Sequence, residues 1–270
     1  IPMSKLPTLG TVVPLNLAGE TLQAQFDFTE KIPDVDQYVV QKLGYTSKYA
    51  LSQALAAEQV DAVAMAIKQI EEDSAFILAD MTGVGKGRIC AAILRYAKMN
   101  GCLPIFITEK DNLFSAIYRD IVDIGGIETK AGGKMNAGYP LILNGFISGG
   151  VEKTYDEKGR RVKVEKPSKT GIVNQDGKEI VTAPLQSDIK LLIQKDFIPK
   201  KYDYLMLTYS QLSGSAENSS GKRKTEFILN VIEKLKGKVI IVIDECHNAA
   251  GTKSSTGEAV TKLVNAAKGV

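Results

Sequence analysis

Cysteine is scarce in this sequence. Cys90, Cys102 and Cys246 are the three present, and no two of them are closely spaced. An odd, sparse count argues against a disulfide framework and for a reducing compartment, so a cytoplasmic location is expected. Long apolar runs are missing too. The longest strong one is Val-Ile-Ile-Val-Ile at 239–243, far short of the roughly 18 residues of a membrane-crossing helix, and no membrane partner is expected. The start, IPMSKLPTLG, lacks the charged-then-apolar pattern of a secretory signal. It also lacks an initiator Met, which gives the expectation of a processed or partial piece of a longer chain. Charge of one sign is barely in excess, with 34 Lys and Arg against 31 Asp and Glu. A net +3 is too little to argue for a nucleic-acid partner from composition. Histidine occurs once, at 247.

What is present is strand and helix in alternation. Residues 1–54 read as an N-terminal arm with helices, and its first 32 residues are punctuated by proline and expected to be extended. Helical pattern is expected from Pro33 on. Val60, Val63, Ile67 and Ile70 fall on one face of a helix. A short buried strand is expected at 75–79, a helix at 86–101, a strand at 103–108 and a helix at 111–126 capped by Asp111. The alternation pauses at about 131–200, a long insertion holding a charged hairpin that turns at Glu157-Lys158-Gly159. It resumes with a strand at 204–208, a helix near 224–236 and a strand at 238–243. The pattern predicts an α/β fold with a parallel sheet flanked by helices over 55–270. Basic residues crowd 222–238; the plain reading of that run is a solvated helix face.

Two stretches carry chemistry. ADMTGVGKGR at 79–88 is a glycine-rich turn between an expected strand and an expected helix. Such a turn points backbone N–H groups and a helix N-terminus at an anion. Gly83 and Gly85 let the backbone approach closely, and Lys86 supplies a charge for terminal phosphates. The loop departs from the usual phosphate-binding formula at Gly87, where a metal-ligating Ser or Thr is normal. The alternative is a glycine-rich connection with an exposed lysine. The second stretch is VIIVIDECHNA at 239–249. An acidic pair closes a buried strand at the sheet edge where ligands bind. Asp244 is placed to hold Mg²⁺, and Glu245 to orient and deprotonate a water. Both stretches together point to a P-loop NTPase.

Asp-Glu-Cys-His at 244–247 and DMTGVGKG at 80–87 resemble the second and first motifs of superfamily 2 helicases. LAAEQVDAVAMAI, FITEKDNLFSAIYRDIVDIGG, LTYSQL and VIDECHNA resemble one branch, the strawberry-notch-like helicases found also in large phage and plasmid proteins, some of them anti-restriction. In that branch Gly-Arg follows the lysine, so Gly87 and Arg88 look like family traits. The resemblance implies a RecA-like fold whose loop of Thr82, Gly83, Val84, Gly85, Lys86, Gly87 and Arg88 holds ATP, with Thr82 the nearest substitute for the absent hydroxyl. It implies that Gln59 reads adenine, that Asp244 serves Mg²⁺ through water, and that His247 couples the site to neighbouring motifs. It further implies that Thr108, Lys110, Thr208 and Tyr209 touch a nucleic-acid backbone, with DNA favoured over RNA. Residues 222–238 and 151–169 are further candidates for that contact. A second RecA-like lobe carrying an arginine finger is the implied partner. The rival expectation is a non-hydrolysing structural module that keeps a helicase-like fold.

Overall fold

The computed structural model describes residues 2–10, 18–78, 85–129, 135–155, 160–212, 220–249 and 254–270. Four helices come first: α1 (Ala18–Lys31), α2 (Val35–Leu43), α3 (Lys48–Ala54) and α4 (Ala57–Glu71). Then follow α5 (Lys86–Met99), β1 (Leu103–Thr108) and α6 (Leu113–Asp123). Short strands succeed them: β2 (Glu128–Thr129), β3 (Met135–Asn136), β4 (Pro140–Ile142), β5 (Val151–Tyr155), β6 (Arg161–Glu165), β7 (Ile172–Val173) and β8 (Glu179–Val181). The chain closes with α7 (Gln186–Lys195), β9 (Tyr204–Thr208), α8 (Ser220–Lys234), β10 (Val239–Ile243) and α9 (Ser255–Ala266).

The main sheet has the order β10-β1-β9-β4, and every neighbouring pair is parallel. Alternation along its strands sorts side chains between two cores. Phe106, Met206, Ile240 and Val242 face the layer of α2, α4, α5 and α6. Ile105, Ile107, Leu205, Leu207 and Ile241 face α7, α8 and α9. The result is a three-layer α/β sandwich with both sheet faces covered, as a parallel sheet requires. Val60, Val63, Ile67 and Ile70 are buried on α4 as their spacing predicts. Arg95 on α5 is wholly buried, yet satisfied. Its guanidinium donates to the carbonyls of Leu43 at 2.7 Å and Gly126 at 2.8 Å and to Thr129 at 2.9 Å, and lies over the Tyr45 ring.

Several expectations change. Residues 18–31 are helix and not extended arm; α1 buries only Phe28, so its sequence carries little periodic signal. The cap of α6 is Asn112 rather than Asp111. Residues 75–78 are extended but unpaired as a strand, and Ile77 is 78% exposed. Residues 268–270 account for this: Lys268 N–H donates to Val239 and Ile241 N–H to Gly269, each at 3.0 Å. That laid-down segment stands between β10 and residues 75–78. Phe76 reaches it through one bond, from its N–H to the carbonyl of Val270 at 2.9 Å. The stretch 131–200 is also not all insertion, since β4 is an edge strand of the main sheet. Three residues are too short a run to announce a strand. The charged hairpin does form, from β5 and β6, although its turn lies outside the described residues.

Candidate nucleotide and nucleic-acid site

Helix α5 starts at the expected place. Its N-cap is Gly85, in the left-handed region at φ 72° and with no side-chain cap. A glycine cap offers no side-chain acceptor of its own to the first N–H groups of the helix, an arrangement that suits an anion. A side chain at 85 is disfavoured twice. The positive φ strains one, and its Cβ would stand 2.4 Å from the Gln59 amide nitrogen. Gln59 itself is buried, accepts from Ala56 N–H at 3.0 Å and donates to the Gly85 carbonyl at 3.4 Å. Thr82, Gly83 and Val84 lie outside the described residues.

The acidic turn sits at the C-terminal end of β10. Asp244 is held from three directions. Its N–H donates to the Ile107 carbonyl at 2.9 Å, one carboxylate oxygen accepts from the Thr108 hydroxyl at 3.0 Å, and its carbonyl accepts from the Tyr209 phenol at 2.7 Å. Glu245 adopts φ 52°, rare for a residue with a Cβ. That bend ends the strand and starts the 3₁₀ turn Cys246–Ala249. The Glu245 carboxylate lies 3.3 Å from His247 Nδ1, with both side chains reaching solvent.

Cys90 lies on α5, one turn after Lys86. Its half-buried thiol is pushed up to about 12, first by burial and then by the charges of Asp244 and Asp120, while Lys86 pulls it down. Helix α5, which Lys86 opens, packs against β10, which Asp244 follows, and against α6, which carries Asp120. Asp120 was not legible as a site residue. Its carboxylate packs against Gly87, where an added Cβ would stand 2.1 Å from Oδ2. Burial and the neighbouring Asp123 raise the Asp120 pKa.

Beside this point lies a cavity of about 370 Å³, lined by Thr8, Leu9, Gln59, Gly85, Arg88 and Asp120 among others. The N-terminal segment reaches it because Leu9 N–H donates to Glu58 at 2.9 Å and Ala57 N–H to the Pro7 carbonyl at 2.9 Å. Asp61 holds the segment's start, accepting from Met3 N–H at 2.7 Å and Ser4 N–H at 2.9 Å. Burial pushes the Asp61 carboxyl up to about 6.

Other expected contacts are placed differently. Arg88 lines the cavity, but its guanidinium donates to the Ala54 carbonyl at 3.2 Å and pairs with Asp123 at 3.5 Å. Thr108, Thr208 and Tyr209 are buried, and their hydroxyls are used internally. Thr208 accepts from Asn144 at 3.0 Å and shares a bond with Ser210 at 2.8 Å. These side chains hold the sheet edge together and do not face a ligand with free hydroxyls. Lys110 is the exposed member, beside Glu109. In the basic run, Lys224 is buried, and donates to the Leu143 carbonyl at 2.8 Å and to Gln211. The solvated-face reading fails at that position because α8 turns Lys224 under the end of β4.

The family model described as "Type III restriction enzyme, res subunit" matches residues 52–269, a span that contains every candidate from Gln59 to His247. No curated protein matches the chain. Among the described residues, no helix is long and apolar enough to cross a membrane.

Proposed function

Because the chain belongs to the type III restriction enzyme res-subunit family, a superfamily 2 helicase-type domain with a RecA-like P-loop fold, we propose that it is the ATP-binding first lobe of a nucleic-acid-dependent helicase or translocase. The observation that carries this reading is the junction of α5 and β10. A lysine opening a glycine-capped helix and a triply held aspartate at a strand end stand on two elements packed against each other. Parallel sheets bind ligands at that edge.

The residues fit Mg²⁺-ATP by their chemistry. Lys86 and the first turn of α5 offer cationic and N–H groups for phosphates. Asp244 offers a hard carboxylate oxygen, with Thr108 fixing the other one. Bound Mg²⁺ would neutralise phosphate charge as the terminal P–O bond breaks. Gln59 and the cavity it lines are assigned to the adenine. Glu245 accepts the proton of the attacking water, and His247, with Nδ1 at 3.3 Å from the Glu245 carboxylate, couples it to neighbouring motifs. Gly87 gives no hydroxyl, so Asp244 is this chain's assigned metal ligand.

The partners follow. DNA is proposed over RNA, in keeping with the family's restriction-enzyme name. A second RecA-like lobe is proposed to bring the arginine finger, whose contribution in related nucleotidases is about 10³–10⁵ in rate. The strawberry-notch-like resemblance of the motif stretches supports the Asp-Glu-x-His type and a phage or plasmid setting. The test is steady-state ATPase of the longest natural chain, with and without DNA. Stimulation by DNA is expected. A chain that binds nucleotide but never hydrolyses it, with or without DNA, overturns the enzyme reading in favour of a structural module.

A further inference from the structure

Among the described residues the hairpin of β5 and β6 pairs with no other strand, and all of its own described residues except the half-buried Val162 are exposed. A lone two-stranded ribbon is marginal in water, so what its two faces carry matters.

The register assigns those faces. Val151 opposes Glu165, Lys153 opposes Lys163, and Tyr155 opposes Arg161; these six share one face. Glu152 and Thr154 oppose Val164 and Val162 on the other. The first face thus sets three cations against one carboxylate, with Tyr155 71% exposed beside Arg161. The second has one carboxylate, Glu152, and it is neutralised by Lys166 at 3.0 Å. Lys153 directly across from Lys163 is unfavourable in the free protein, because like charges at opposed positions repel. A polyanion laid along that face removes the repulsion.

The base of the ribbon is fixed where the ligand edge is. Lys166 N–H donates to Gly150 at 3.0 Å and Lys169 N–H to Ile147 at 2.9 Å. Thr170 then donates to the Gly145 carbonyl at 2.7 Å. A Cβ on Gly149 would stand 1.8 Å from the Pro167 carbonyl oxygen, so the two legs cross in contact there. Asn144, next to Gly145, is bonded to Thr208 through both atoms of its amide. The ribbon therefore rises from the C-terminal edge of β4 and β9, the same edge on which Asp244 sits.

We infer that the Lys153–Tyr155–Arg161–Lys163 face of this hairpin is a nucleic-acid contact, with the three cations on backbone phosphates and Tyr155 against a base or sugar. The inference rests on the proposed nucleic-acid partner. It assigns that contact to one face of one ribbon rather than to α8, whose Lys224 points inward.

The test is fluorescence anisotropy of labelled single-stranded and duplex DNA with the 270-residue chain, across a salt series starting at low salt. The triple variant Lys153→Gln/Arg161→Gln/Lys163→Gln should bind duplex at least about tenfold more weakly, and its salt slope should fall by up to about 2.7, or 0.9 per lost phosphate contact. Tyr155→Ala should weaken single-strand binding by about fivefold or more. Glu152→Gln/Lys166→Gln, on the other face, should bind as wild type does. All three variants change exposed residues, and their melting curves should overlay that of wild type. Wild-type affinity and slope in the triple variant would overturn the hairpin assignment and leave the nucleic-acid reading standing. No binding by wild type at low salt would overturn both.

Discussion

The phenol of Tyr209 donates to the backbone carbonyl of Asp244 at 2.7 Å, across two strands that are not neighbours in the sheet. β1 lies between β9 and β10, and Thr108 at its end bonds the same aspartate. Three strand ends are thereby tied to one acidic turn.

Tyr209→Phe removes that donor and keeps the ring. A net loss of about 0.5–1.5 kcal/mol in stability is expected. ATP affinity should stay near wild type, since no phosphate contact is lost, while turnover with DNA should fall several-fold. Steady-state kinetics separates the two. Unchanged turnover would show that the bond is structural only.

Gly87 is next to Asp120, and this decides what a metal-ligating hydroxyl would do there. In Gly87→Thr the new Cβ meets Asp120 Oδ2 at 2.1 Å unless the carboxylate moves. Overpacking of this kind costs about 1–3 kcal/mol. Nucleotide binding should weaken about tenfold, and the double variant Gly87→Thr/Asp120→Ala should recover most of it. Tighter Mg²⁺-ATP binding by the single variant would mean that the loop tolerates the ordinary hydroxyl after all.

Lys224 gives a pH signature. Burial lowers its pKa from 10.5 to about 8. Between those values the unfolded chain holds the proton and the folded chain does not, so stability rises with pH across the window. Lys224→Met lacks this term. The stability of wild type relative to the variant should grow from about pH 8 to about pH 10 and then level off. Denaturant midpoints at several pH values measure it. A difference that is flat or falls with pH would place Lys224 in a more hydrated setting than its contacts indicate.

Strong local patterns were legible in the sequence. β1, β9 and β10 were found because four or five apolar residues ran between turn signals, and α4 because its valines and isoleucines kept helical spacing. Gly85 stands at the helix start and Asp244 at the strand end where the sequence placed them, because a glycine turn and a polar pair mark where a helix begins and a strand stops. What was not legible depends on contacts distant in sequence. Asp120 meets Gly87 only once α6 packs on α5. Asp61 anchors a segment 57 and 58 residues away. Residues 75–78 lacked a second neighbour, which no local pattern reveals. Lys224 looked solvated because composition reports charge and not which way a helix turns it.

The central claim, that Lys86 binds phosphates while Glu245 activates water, is tested most directly by calorimetric Mg²⁺-ATP binding to wild type, Lys86→Ala and Glu245→Gln. Lys86→Ala should lose binding by at least about tenfold, since about 1.4 kcal/mol corresponds to that factor and a charge-assisted hydrogen bond contributes about 1.5–3 kcal/mol. Its melting temperature without nucleotide should match wild type. Glu245→Gln should bind ATP as wild type does, because an amide replaces the carboxylate without removing a phosphate contact. Equal affinity in wild type and Lys86→Ala would contradict the account, as would loss of binding in Glu245→Gln with Lys86 intact.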